Sequence, residues 1–194
     1  MEVSSAPYPI DPIEFDLSDT KKNQKKLQEL KTMSARVVGN YNGLELVEYQ
    51  KTPKETFIVA EVDGEIAYMV HLKTMKFKAL PAPSVTQVEV WRTAFHDTLL
   101  RGLPSYVFEK LLLSSNKYIV SDSAQSEAGK RFWMGRMDDA VRKGHHVGVF
   151  DVDEAEVVWA TNPKDFKDFI TIQEHKAWGK VFNKHEYLRF VIKA

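Results

Sequence analysis

The chain has 194 residues, 43% of them hydrophobic and 11% aromatic, enough to bury a substantial core in one large domain or two small ones. Its 27 Lys and Arg balance 27 Asp and Glu, which argues against a protein that coats nucleic acid by neutralising phosphates. It has no cysteine, which excludes disulfides, thiolate zinc sites, iron–sulfur clusters and cysteine nucleophiles. No run of about 18 apolar residues is present to span a membrane. The acidic start, MEVSSAPYPIDPIEFDLSD, lacks the apolar stretch of a signal peptide, so the expected compartment is the cytoplasm.

In residues 1–19, Pro7, Pro9 and Pro12 stand too close together for helix or paired strand. Tyr8, Ile10, Ile13 and Phe15 give this arm apolar surface, so it is expected to pack on the domain or on a neighbouring subunit. Ser18 or Asp19 then caps an amphipathic helix, TKKNQKKLQELKTM, with Leu27, Leu30 and Met33 inward and Lys21, Lys22, Lys25 and Lys26 as a solvated face. NYNG at 40–43 is a turn signal, followed by LELVEY. TFIVAEVDGEIAYMVHL carries two β-rich runs around Asp63-Gly64, which predicts a hairpin with a type I′ turn. A loop follows from Met75 to Pro83, and the alternation of VTQVEVW (85–91) predicts a third strand.

The second half changes period. SYVFEKLLLS (105–114) reads as a helix and KYIVS (117–121) as a short buried strand. Residues 126–143 form a helix capped by Ser126, with Phe132, Met137, Ala140 and Val141 inward and Gly144 at its end. Strands are expected at 146–152 and 156–160, then a short helix or turn at 162–169. A last hairpin through EHKAWGKVFNKHEYLRF has Trp178 and Phe182 packed inward, and YLRFVIK is the final strand. The order predicts an α/β (α+β) fold with a mixed, mainly antiparallel sheet and flanking helices. In it, 118–121, the 126–143 helix and 146–152 form a parallel crossover. One globular domain is expected, organised as an arm and helix (1–36) followed by 37–194.

Three stretches within 37–194 resemble the GNAT superfamily of acyl-CoA N-acyltransferases. TFIVAEVDGEIAYMVHL is similar to its central hairpin. VEVWRTAFHDTLLRGLPSYVFEKLL is similar to its strand–loop–helix. YIVSDSAQSEAGKRFWMGRMDDAVRKGHHVGVFD is similar to its strand–helix–strand, a pattern also associated with acetyltransferase-like proteins of bacteriophages and mobile elements. The resemblance implies acetyl-CoA as cofactor and transfer of an acetyl group to an amine of a small molecule or a protein. Its phosphate loop falls on Arg101-Gly102-Leu103-Pro104-Ser105-Tyr106. Arg101 and Gly102 fit, and the backbone of Leu103 and Ser105 would face the anion. Pro104 and Tyr106 depart from the pattern, the first lacking an N–H and the second crowding the phosphates. The cofactor would lie against Val120 and Asp122 at a strand end, where Asp122 is a ligand or a turn residue.

Glu89 on the third strand matches the family's general base, while alternation alone favours an ordinary strand glutamate facing outward; His96 is a second candidate. Trp133 stands where the family often has an acidic tyrosine, and its indole cannot ionise for that role. It is a core anchor or a cofactor contact, with Tyr118 or Tyr106 in the acid's place. The adjacent His145 and His146 face opposite sides of a strand, and His175 and His185 have no clear carboxylate partners, so no metal site is expected. The departures motivate an alternative: a GNAT-like protein without catalysis that binds or inhibits a protein partner, with phage origin a natural setting. A homo-oligomer is compatible with either, and nucleic acid is disfavoured by the zero net charge.

Overall fold

The computed structural model describes residues 17–122, 127–160, 162–178 and 188–194. The arm (1–16), Ser126, Phe182 and His185 lie outside the described residues. The chain divides into two compact units. Among the described residues, one comprises 17–75 and 85–115, and the other 76–84 and 116–194.

The first unit opens with α1 (Thr20–Lys31), whose N-cap is Asp19: its Oδ1 accepts the Lys22 N–H at 2.8 Å. Leu27 and Leu30 are buried, while Lys21, Lys22 and Lys25 are exposed, as the amphipathic pattern predicts. Five strands follow: β1 (Ser34–Tyr41), β2 (Leu44–Thr52), β3 (Glu55–Val62), β4 (Glu65–Met75) and β5 (Ser84–Arg92). They lie side by side in chain order. β1–β2 and β3–β4 turn at Asn42-Gly43 and Asp63-Gly64, all four residues with positive φ, the type I′ geometry. The Asp63-Gly64 hairpin is therefore as expected. β1 is an addition, since SARVVGNY carries no clean alternation and is bulged between Val37 and Gly39. Just past β5, the Thr93 N–H bonds the Ala67 carbonyl near the start of β4 at 2.9 Å. β5 therefore runs antiparallel to β4.

α1 covers one face of this sheet. Leu17, Leu27 and Leu30 meet Tyr49, Phe57, Val59, Ile66 and Met69, with Trp91 packed alongside. Asn23 is buried among them. Its amide donates to the carbonyls of Leu17 (3.1 Å) and Ile66 (3.0 Å), and its Oδ1 accepts the Ile66 N–H (2.7 Å). After the short α2 (Asp97–Leu100), the opposite face carries α3 (Leu103–Tyr106), which continues as a π-helical stretch, Val107–Leu113. Tyr106 and Leu111 reach Gly39 there, beside Leu46.

The second unit holds β6 (Tyr118–Ser121), α4 (Glu127–Arg142), β7 (His146–Asp151), β8 (Val158–Ala160), α5 (Pro163–Trp178) and β9 (Leu188–Lys193). Its strand order is β6-β9-β7-β8, every neighbour antiparallel. The expected parallel pair is corrected: β6 and β7 share a direction, but β9 is inserted between them. The reason is the apolar run Phe190, Val191 and Ile192, which is buried throughout and needs a partner on both sides. Leu80, Tyr118, Val120, Phe150 and Val191 form its cluster, with Phe77 edge-on to Phe150. On α4 the inward residues are Trp133, Met137, Ala140 and Val141, spaced i, i+4, i+7 and i+8. Phe132 is only half-buried under the Arg136 guanidinium, so the expected stripe shifts by one residue. α5 runs far past 169, which makes 174–178 helix and not the start of a hairpin. Asn162 sets its start, its Oδ1 accepting the N–H groups of Lys164 and Asp165. The fold is thus α+β with a mainly antiparallel sheet and flanking helices.

Candidate acid–base site

Arg101–Tyr106 does not fit a pyrophosphate cradle. Gly102 has φ +81°, and a Cβ there would stand 2.7 Å from the Tyr41 hydroxyl. That hydroxyl donates to the Arg101 carbonyl. The Tyr106 ring lies 5.1 Å from Tyr41, with its own hydroxyl against Gly39. Tyr106 therefore turns onto β1 and does not point at a ligand. Its N–H closes on the Gly102 carbonyl at 2.9 Å, and Pro104 has none, leaving the N–H groups of Gly102, Leu103 and Ser105 at this helix start. The Leu103 side chain is fully buried. The glycine makes room for a tyrosine.

On the sheet's other face, a polar group sits among the residues that α1 covers. Phe57 on β3 pairs across the ladder with His71 on β4, and the two rings stack at 4.4 Å and 14°. His71 Nε2 lies 2.8 Å from Glu55 Oε1, and Lys51 reaches the same carboxylate at 3.3 Å. His71 is 94% buried, and its Nδ1 has no partner. Along β5, Gln87, Glu89 and Trp91 share one side by alternation, and Trp91 packs on the α1 cluster. Counting from the Thr93–Ala67 bond, Trp91 falls level with Met69 and Glu89 level with His71. Glu89 thus faces the α1 side, half-buried, while Gln87 is buried with its Oε1 unpartnered.

The other candidates are distributed as follows. His96 precedes α2, and its carbonyl accepts the Leu100 N–H. Glu89 and the 101–105 segment stand on opposite faces of the first unit's sheet. In the second unit Tyr118, Val120 and Trp133 are buried, and Val120 pairs with Val191. Asp122 follows β6. With Asp151 it favours the charge of Arg189, although burial outweighs them and lowers the Arg189 pKa. Among the described residues, no three His, Asp or Glu side chains converge as a metal site would need, and no helix is long and apolar enough to cross a membrane. No family model, curated protein or solved structure matches the chain.

Burial lowers the His71 pKa below its ordinary 6.5, against the opposing pull of Glu55. For Glu55 burial raises the pKa, but bonds from His71 and Lys51 outweigh it and hold the value below 4.5. Both groups bind protons more weakly folded than unfolded. Their contribution to stability is therefore complete above pH 6.5 and is lost on acidification, His71 first and Glu55 below pH 4.5. Melting temperature should fall with pH through that window, and H71Q should flatten the part just below pH 6.5. Parallel wild-type and H71Q curves would contradict it.

Proposed function

We propose that the chain is an N-acyltransferase of the GNAT type, moving an acyl group from a CoA thioester to an amine, with Glu89 as general base. The supporting observation is Glu89 level with the partly buried Glu55–His71 pair on the α1 face. A carboxylate beside a buried, oriented imidazole is an acid–base arrangement, and clusters of that kind mark functional sites. The amine arrives as an ammonium ion, Glu89 takes its proton, and the freed lone pair attacks the carbonyl. The thioester supplies an activated acyl group when bound. Its phosphates would meet groups other than the packed Gly102 turn.

A second reading, a GNAT-like scaffold without catalysis that binds a protein partner, is favoured by Tyr41 over Gly102 and by Pro104. One titration separates the two. Acetyl-CoA should release or absorb heat in calorimetry and raise the melting temperature, because a ligand at 100 times its Kd adds about 2.7 kcal/mol. Release of free thiol with a panel of primary amines then reports transfer. No heat and no thermal shift at about millimolar ligand would end the enzyme reading and leave the binding one.

A further inference from the structure

We propose that His71, fixed by Glu55, takes up at Nδ1 the proton that Glu89 removes from the acceptor amine. This rests on the acyl-transfer reading above. The Glu55 carboxylate at 2.8 Å from Nε2 holds the ring hydrogen on that nitrogen, which leaves Nδ1 as a lone pair. That lone pair is buried and unpartnered. Leaving such an atom unpaired is unfavourable, a cost with a purpose if the atom receives a proton during turnover.

The source of the proton lies level with it across the β4–β5 ladder. Once protonated, Glu89 carries an O–H in place of an acceptor oxygen and needs an acceptor in turn. Transfer breaks the Glu89 O–H bond, forms Nδ1–H, and restores the carboxylate for the next amine. The imidazolium keeps its Nε2–H on Glu55, which is ionised and compensates the new charge. The buried Gln87 Oε1, two residues from Glu89 along β5 and on the same face, is a second unpartnered acceptor. The charged groups that act on His71 are Glu55 on β3, Lys51 on β2 and Lys73 on β4; Glu89 on β5 is level with it by register, and Lys26 on α1 stands with its Nζ 5.1 Å from the Phe57 ring that stacks on it. The lysines oppose the imidazolium, so the proton is held briefly and passes to water when product leaves. Glu55 is the positioning residue, and His71 acts through Glu89.

The test follows the His71 imidazole nitrogens by NMR against pH in wild type, E89Q and E55Q. Wild type should show the Nε2–H tautomer. E89Q should lower the His71 titration midpoint by about one pH unit, as loss of an adjacent opposite charge does. E55Q should weaken the tautomer preference. Coincident wild-type and E89Q titrations, or an Nδ1–H tautomer in wild type, overturn the proposal whether or not the protein acetylates anything. In the acetylation assay H71Q should lower kcat by about 10²-fold at unchanged KM. An unchanged kcat also overturns it. A wild type that acetylates with the titrations coincident would instead leave the function standing and remove His71 from it.

Discussion

Replacing Asn23 with leucine should destabilise the protein by about 3 kcal/mol. The change strips three bonds at once: Asn23 to the Leu17 carbonyl, to the Ile66 carbonyl, and from the Ile66 N–H. Each buried backbone group left without its partner costs about 1–3 kcal/mol, and the apolar side chain returns about 1.5–3 kcal/mol of burial. For a chain of this size the net loss corresponds to roughly 10 °C in melting temperature. Asn23→Asp should also destabilise, because a carboxylate can accept from Ile66 but cannot donate to two carbonyls. Thermal unfolding of the two variants checks this. A shift under about 2 °C for both would mean that water replaces the side chain.

The consequence reaches the candidate site through register. β3 and β4 are out of step between Ala60 and Glu61, where one strand carries an extra residue, Ala67. Asn23 grips Ile66, the residue before it. An unbroken ladder from Val62–Glu65 would set His71 opposite Thr56, on the other face of the sheet. The bulge sets it opposite Phe57, on the α1 face with Glu55. Loosening Asn23 should therefore disturb the Glu55–His71 pair as well as the melting temperature.

The same bulge marks the limit of the sequence. Asp63-Gly64 demands positive φ, and the flanking alternation fills strands, so the hairpin is legible. Nothing in TFIVAEVDGEIAYMVHL announces an extra residue, so the face of His71 and its pairing with Glu55 are not. Glu89 was legible as a strand carboxylate, but alternation alone favours the outward direction, and the structure corrects that. Trp91 on the α1 cluster decides it. Gly102 fits a phosphate motif by spacing, yet its role depends on Tyr41, which is 61 positions away and on a strand with no clean alternation. β9 was legible as a strand from YLRFVIK. Its insertion between β6 and β7 follows from burial on both sides, a tertiary fact that local pattern does not carry.

Gly148→Ala should cost about 1–3 kcal/mol, although a single methyl is added. Gly148 sits in β7, directly across the ladder from Trp159 in β8. A Cβ built there falls 2.6 Å from Val157 Cγ1 and 2.8 Å from Trp159 Cε3, well inside van der Waals contact. The glycine is required by space, since the indole lies over the bare backbone and its ring also meets His146 edge-on at 6.4 Å. Two side chains must move to admit the methyl, and β8 is only three residues long, held by β7 alone among the described strands. The expected result is a lower melting temperature together with changed Trp159 fluorescence as the ring leaves its seat. Trp159→Leu in the same background should recover part of the loss, so that the two changes together cost less than their sum. Strict additivity of the pair would show that Gly148 is constrained by something other than the indole above it.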